Sequence, residues 1–155
     1  MGNQYAKSAP LNSEQPRVHV APGTSALPGA FARSDLSAIF EMLTLELRRL
    51  VPPFSPAGDF EFRYELWSLK EVRLGDRLRR RSCFAQLVFA EDAVRLYYPP
   101  LLFHPEVRYG LKQELLQRFN GTSCLQLRSL DRSCLRHIVE ALSLGHRIYV
   151  RDGLV

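Results

Sequence analysis

Apolar residues recur every three or four positions in two segments, one before residue 50 and one after residue 130. The first set is Leu36, Ile39, Phe40, Leu43, Leu47 and Leu50, and the second is Cys134, Leu135, Ile138, Val139 and Leu142. This spacing places each set along one side of an α-helix. Ser34 or Asp35 is suited to cap the first helix, which should end at Pro52-Pro53. Asp131 is suited to cap the last helix, which is predicted to end at Gly145.

Three stretches between these helices carry the patterns of β-strands. They are residues 60–67, which alternate aromatic and charged side chains, residues 83–90, which are almost continuously apolar, and residues 94–98, which alternate again. The connections at Gly75-Asp76 and Glu91-Asp92 are too short for parallel crossovers, so the strands should pair antiparallel. Alternation turns one side of each strand towards a core, and we expect Phe60, Phe62 and Tyr64 to line it.

A further helix and two short segments complete the predicted fold. Pro105 is favoured in a first helical turn, and the helix is expected to continue to Phe119. Residues 124–127 predict a short strand, and residues 148–150 predict a last strand or a packed tail. The predicted class is α+β, an antiparallel sheet of about four to five strands with helices packed on one face. The predicted element order is α-β-β-β-α-β-α, a two-layer sandwich.

Composition divides the chain into a tail and one domain. The chain has 155 residues, of which 46% are hydrophobic, which suits a single globular core. Proline recurs four times before residue 30, among Gly, Ser and Asn, so regular pairing is disfavoured there. We therefore predict a disordered Pro-rich tail over residues 1–33 and a single α+β domain over residues 34–155.

Cysteine usage and hydropathy favour a cytoplasmic protein. The three cysteines, Cys83, Cys124 and Cys134, are an odd number, and the first residues lack the apolar segment of a secretory signal. Both features favour a reducing compartment over a disulfide framework. No apolar run approaches the ~20 residues that span a bilayer. We expect a cytoplasmic location and no membrane partner.

Positive charge is concentrated in one short segment. The chain carries a net charge of +5, and residues 73–81, with five arginines and one aspartate, account for +4 of it. These arginines are Arg73, Arg77, Arg79, Arg80 and Arg81. Clustered arginines bind phosphate groups, and outward-facing Trp67 and Tyr97 could stack bases beside them. A nucleic acid or another polyanion is therefore a candidate partner, unless Glu61, Glu65 and Glu71 neutralise the segment across neighbouring strands.

Catalytic and metal-binding signals are sparse. The chain has no Gly-rich phosphate loop and no Ser–His–Asp signature. Cys83, two residues after Arg81, is a candidate nucleophile. His104 and Glu106 are weak candidates for an acid–base pair or for metal ligands. The spacing of Cys124, Cys134, His137 and His146 only loosely matches a zinc site, because Cys134 falls on an apolar helix face. No cofactor is predicted.

Three segments over residues 60–155 resemble the YdhG-like domain family, small bacterial proteins mostly of unknown function. They are the strand pair that leads to a Pro-Glu (Cys83–Val107), the run FNGTSCLQLRSLD (Phe119–Asp131) and the closing segment GHRIYVRDGLV (Gly145–Val155). The resemblance implies a frataxin-like architecture and, through one family member, iron delivery. The carboxylates that iron would need are few, with Asp35, Glu41 and Glu46 on the first helix and Glu61 and Glu65 on the first strand.

Three functional hypotheses follow. The first is a non-catalytic binding or chaperone-like domain, with a protein, a small ligand or a second copy of the chain as its partner. The second is polyanion binding through the arginine segment at residues 73–81. The third is a small enzyme that uses Cys83 or the His104/Glu106 pair.

Overall fold

The computed structural model describes residues 33–74, 76–121 and 123–155. At residues 33, 34, 59, 60, 73 and 74 the description is of the backbone alone. The predicted tail lies outside the described residues, except for Arg33, which begins the first helix. Within the described part of the chain, no helix is both long and apolar enough to cross a membrane.

Five helices and eight strands make up the described chain. In chain order they are α1 (Arg33–Arg48), β1 (Ser55–Phe60), β2 (Arg63–Ser68), β3 (Val72–Leu74), β4 (Arg77–Arg79), β5 (Ser82–Phe89), β6 (Val94–Tyr97), α2 (Pro100–Phe103), α3 (Pro105–Gly110), α4 (Gln113–Leu116), β7 (Phe119–Asn120), β8 (Cys124–Leu127) and α5 (Arg132–Arg151). Six strands form one sheet in the order β1-β2-β5-β6-β8-β7, and every pairing is antiparallel. Strands β3 and β4 form a separate two-stranded hairpin. The α+β class with an antiparallel sheet is confirmed, with one strand more than the upper expectation.

Helices α1 and α5 pack on the same face of the six-stranded sheet. Phe89 is opposite Val94 in the register, and by alternation Tyr98 follows Val94 on that face. Phe40 of α1 packs edge-on against Phe89, with ring centres 6.0 Å apart. The Tyr98 hydroxyl donates a 2.7 Å hydrogen bond to the Ala141 carbonyl of α5. Both helices therefore cover one dry core, as the sequence predicts.

The predicted strand over residues 60–67 is in fact a hairpin. Strands β1 and β2 meet at a turn that contains Phe62, which is 46% exposed, so the prediction that Phe62 lines the core is wrong. Tyr64 is buried as predicted, whereas the Phe60 side chain lies outside the described set. Strand β1 was not predicted because Pro56 and Gly58 disfavour strands. An edge strand tolerates them because only one of its sides is paired.

The predicted helix over residues 105–119 is replaced by two short helices, α3 and α4, which the short helix α2 precedes, and Phe119 belongs to strand β7. His104 separates α2 from α3 with an extended backbone, φ −125° and ψ 96°. This follows from Pro105, because a proline disfavours helical geometry in the residue before it. Lys112 is extended in the same way ahead of α4, at ψ 136°. The predicted element order therefore misses α2, α4, β1, β7 and the β3–β4 hairpin.

Gly145 does not end the last helix. Helix α5 continues to Arg151 and includes residues 148–150, for which a strand or a tail was predicted. A Cβ atom at Gly145 would lie 1.9 Å from the Tyr98 hydroxyl oxygen. The glycine therefore allows α5 to approach the sheet closely, and it does not terminate the helix. The cap prediction is confirmed, because the Asp131 carboxylate accepts a 2.7 Å hydrogen bond from the Cys134 amide.

Candidate functional site

A cavity of about 500 Å³ opens where β2 ends and β5 begins. Trp67 and Cys83 line it from paired positions of these two strands. The β3–β4 hairpin contributes Val72 and Arg79, and Phe103 at the end of α2 contributes an aromatic ring that is 64% exposed. Ligand sites in proteins are typically concave, largely apolar and provided with a few polar groups, as this one is.

The residues that follow α5 form one wall of the cavity. Leu154 lines the cavity and is held by its backbone, because its amide donates a 2.8 Å hydrogen bond to the Tyr149 carbonyl. The Ser68 hydroxyl, at the end of β2, donates to the Leu154 carbonyl. Gly153 adopts φ +65°, a conformation that side chains disfavour, and this turns the chain back after the helix. The sheet and α5 are therefore joined at the rim of the cavity.

The cavity lining has an excess of positive charge. Lys70, Arg79 and Arg81 line it together with one carboxylate, Asp152, which gives a net charge of +2 with histidine neutral. Arg151 donates a 2.7 Å hydrogen bond to Asp152 and holds the pKa of that carboxyl below its usual range. The one carboxylate at the cavity thus has its own cation, whereas Lys70, Arg79 and Arg81 form no ion pair with any described residue.

A buried carboxylate fixes the orientation of Trp67. Glu65 is only 7% exposed and accepts a 2.7 Å hydrogen bond from Trp67 Nε1 at Oε2. Its Oε1 atom accepts from Gln86 Nε2 at 2.8 Å and also from Arg63. The Arg81 guanidinium lies over the indole, 5.1 Å from the ring centre. A buried carboxylate with three donors is well satisfied, so this arrangement holds the indole rigidly as a cavity wall.

Two acidic side chains that line the cavity stay protonated at neutral pH. Burial raises the pKa of the Cys83 thiol to about 11, and Glu65 adds to the rise while Arg63 opposes it. Burial likewise raises the pKa of Tyr149 to about 12, with a further contribution from Cys83. The Tyr149 ring packs edge-on against Phe84, with centres 5.1 Å apart. The cavity therefore offers a thiol and a phenol, and no thiolate nucleophile.

The structure divides the arginine segment into two parts. Arg79 and Arg81 line the cavity, whereas the exposed Arg77 and Arg80 do not. The Arg73 backbone pairs with Leu78, and its side chain is outside the described set. Sequence alone could not separate these arginines, because alternation places Arg77 and Arg79 on the same side of β4 and the division depends on where the hairpin meets the ends of β2 and β5.

Neighbouring glutamates do little to neutralise the arginine segment. Arg80 and Glu71 approach to 3.8 Å, but both side chains are mostly exposed, and such pairs contribute little. Glu65 is bonded to Arg63, Gln86 and Trp67 instead. Among the described residues, Glu61 makes no ion pair. Of the three glutamates proposed as partners, one forms a weak exposed pair with the segment.

Other candidate residues lie apart from the cavity or have separate partners. Tyr97 pairs with Gln86 in the register and does not line the cavity, so Trp67 and Tyr97 do not share one site. His104 lines the cavity, and its Nδ1 is 3.8 Å from Asp152. Glu106 forms a 2.7 Å ion pair with Arg151. The structure therefore does not bring His104 and Glu106 together as a pair.

The loose zinc pattern is not assembled in the described chain. Cys134 is buried on α5, and His146 packs against Phe54 with ring centres 5.8 Å apart. His137 instead faces Glu114, at 3.7 Å. Within residues 33–155, as far as they are described, no three His, Cys, Asp or Glu side chains gather as a metal site. Cys134 thus behaves as a small apolar core residue.

Comparisons with family models, with curated proteins and with solved structures found no match. The resemblance to YdhG-like domains, and the iron delivery that it implies, stay predictions.

Proposed function

We propose that the protein is a non-catalytic binding domain whose ligand site is this cavity. One observation carries the proposal: a concave site combines a rigid aromatic wall, Trp67, with the cations of Arg79 and Arg81. Well-formed apolar cavities with a few convergent polar groups are the usual form of small-molecule sites. The volume of about 500 Å³ is sufficient for a ligand of two or three rings.

The groups around the cavity favour binding over catalysis. A cysteine nucleophile reacts as the thiolate, and burial keeps Cys83 as the thiol. A general acid–base pair needs two groups that face one substrate. Glu106 is paired with Arg151 and does not line the cavity, so the predicted His104/Glu106 pair is not formed, and His104 instead faces Asp152, which Arg151 also binds. These contacts disfavour both arrangements named in the third functional hypothesis and support the first.

Trp67 makes the proposal directly testable, since it is the one tryptophan of the chain. The probes are anilinonaphthalene sulfonate and its uncharged analogue N-phenyl-1-naphthylamine, which accept energy from an excited indole. We expect at least one probe to bind and to quench Trp67 emission. Val72→Phe places a larger side chain in the cavity and should weaken that binding at least ~10-fold.

The matched control is Leu78→Phe, on the other strand of the same hairpin. Leu78 is 56% exposed and does not line the cavity, so this variant should bind the probe as the wild type does. If neither probe binds, or if Val72→Phe and Leu78→Phe weaken probe binding equally, the cavity is not a ligand site.

A second candidate function is polyanion binding by the arginine segment. The observation that favours it is the exposure of Arg77 in strand β4 and of Arg80 just after it, beside Arg79 and Arg81. Phosphate contacts by several arginines give an affinity that falls steeply with salt. The test is binding of a 20-nucleotide single strand at 50 and 200 mM salt. The candidate predicts that Arg77→Ala and Arg80→Ala each weaken binding, whereas a strand that does not bind at 50 mM would exclude it.

A further inference from the structure

We infer that the ligand of this cavity is an amphiphilic anion, with one carboxylate, sulfonate or phosphate group on an apolar body of two or three rings or an equivalent chain. This inference rests on the proposed function and specifies the ligand class. It follows from how charged and apolar groups are distributed around the cavity.

Two of the three cations at the cavity come from the hairpin region. Arg79 ends strand β4, and Arg81 lies two residues further along the chain. Among the described residues neither of them forms an ion pair with a carboxylate. Lys70 adds a third positive charge to the lining, with its Nζ 3.8 Å from the position of a Cβ atom at Gly153, on the α5 side of the cavity. An anionic group placed beside the two arginines gains charge-assisted hydrogen bonds, which are about twice as strong as neutral ones.

Arg81 is already positioned for an anion. Its guanidinium lies over the Trp67 ring, and the ring is fixed by Glu65. A guanidinium that stacks on an aromatic ring keeps its N–H groups at the edge available as donors. Binding then costs little side-chain entropy, because the cation needs no further ordering.

Apart from His104 and from Asp152, whose carboxylate is bound by Arg151, the rest of the cavity lining is mostly apolar. Phe103, Tyr149 and Leu154 contribute to it from α2, from α5 and from the segment that follows α5. Tyr149 is 3% exposed, and its phenol stays neutral at physiological pH. No hydrogen bond to its hydroxyl is found among the described residues. The apolar body of the ligand is therefore expected against these side chains, with its charged group directed towards the hairpin.

The same arrangement disfavours the other ligand classes. A cation would meet a net charge of +2, and an uncharged apolar compound would leave the cations at the cavity unpaired. An extended polyanion would use all of the exposed arginines, including Arg77 and Arg80, and would not need Phe103 or Leu154. An amphiphilic anion is the class that uses both the unpaired arginines and the apolar lining of the cavity.

The test compares the two probes, which share one aromatic body and differ in the sulfonate. We expect anilinonaphthalene sulfonate to bind the wild type about 10–100-fold more tightly than N-phenyl-1-naphthylamine, from the charge-assisted hydrogen bonds of one head group. Arg79→Ala should reduce this ratio to about 3 or less by weakening the sulfonate probe alone. Arg77→Ala, in the same strand but outside the cavity, should leave the ratio unchanged.

The outcomes separate the inference from the proposed function. Equal binding of the two probes to the wild type would overturn the amphiphilic anion and leave the cavity as a ligand site. The inference would also be overturned if Arg79→Ala left the affinity ratio of the two probes unchanged, or if Arg77→Ala reduced that ratio as much as Arg79→Ala does. Failure of both probes to bind contradicts the proposed function itself. Circular dichroism checks that each variant is folded, and Arg79→Gln repeats the test with the side-chain length nearly kept.

Discussion

The two faces of the six-stranded sheet are stabilised by different interactions, although the same strands form both. On one face, Leu66, Leu87 and Leu96 are buried under α1 and α5. On the other face, Glu65 is buried among hydrogen-bond donors that include Gln86. The first face is stabilised by burial of apolar area, and the second by satisfied polar contacts.

The difference explains where the cavity forms. A dry face packed by helices leaves little empty volume, because protein cores are close-packed. The polar face instead holds Trp67 by a hydrogen bond from its indole, so that the ring forms a wall without being enclosed. The cavity opens at the end of β2 and β5, where the wall meets Tyr149 of α5 and the arginine hairpin.

The largest expected effect is on the helix-covered face, at Gly145. Gly145→Ala would place a Cβ atom 1.9 Å from the Tyr98 hydroxyl and displace the hydrogen bond to Ala141. We expect the free energy of unfolding to fall by about 2–4 kcal/mol, measured by urea denaturation.

The matched control is Gly110→Ala, where the nearest atom is the end of the flexible Leu144 side chain. That variant should change stability by less than about 1 kcal/mol, because this side chain can move. Similar losses in the two variants would contradict the close approach of α5 to the sheet.

The next effect concerns Cys83 at the cavity. With its pKa raised from 9.0 to about 11, the thiol should be alkylated by iodoacetamide at pH 8 roughly 100-fold more slowly than in the denatured chain. The raised pKa favours the folded state below pH 9, and this contribution is lost as the pH rises from 9 to about 11. Mass spectrometry of the Cys83 peptide measures the rate. Fast alkylation of the native protein at pH 8 would show that Cys83 forms a thiolate in the folded protein, as a catalytic nucleophile requires.

A smaller effect is expected on the polar face. Glu65→Gln keeps the shape of the side chain but replaces one of its two acceptor oxygens by a donor. We expect a loss of about 1–2 kcal/mol in the free energy of unfolding and a shift in Trp67 emission. The control, Glu61→Gln in the exposed turn of the same hairpin, should stay within about 0.5 kcal/mol of the wild type. Unchanged emission in Glu65→Gln would mean that this carboxylate does not position the indole.

The smallest effect is predicted for the solvent-facing arginines. Arg80→Ala removes an ion pair of 3.8 Å between exposed side chains, which should cost less than about 1 kcal/mol. Thermal denaturation of this variant and of Glu71→Ala measures the pair. A larger loss would show that the hairpin depends on Glu71, and that the arginine segment is more neutralised than its exposure indicates.

Hydrophobic periodicity predicted the elements whose structure depends mainly on their own residues. The apolar stripe of α1, the cap at Asp131 and the strands at 83–90, 94–98 and 124–127 all follow from local spacing. Strand β1 was not predicted because its own residues disfavour a strand. It is extended because it pairs with β2. Gly145 was misread because the Tyr98 hydroxyl that requires a glycine lies 47 positions earlier in the chain.

The candidate site was predictable only in part. Charge density pointed to the arginine segment, and alternation pointed to Trp67, but neither could show that Arg79 and Arg81 share a cavity with Tyr149. That contact depends on α5 continuing past Gly145 and on Leu154 returning to Ser68. Glu65 was interpreted as a partner for the arginine segment, because sequence does not show that Gln86 and Trp67 occupy its oxygens.

The most direct test of ligand binding at the cavity is the indole N–H signal of Trp67 in a ¹H–¹⁵N NMR spectrum. One tryptophan gives one such signal, and its hydrogen is bonded to Glu65. Titration with anilinonaphthalene sulfonate should shift this signal in saturable fashion in the wild type and in Leu78→Phe, whereas Val72→Phe should need at least ~10-fold more probe for the same shift. An indole signal that stays in place while signals of the exposed Met42 and Leu45 on α1 move would contradict ligand binding at the cavity.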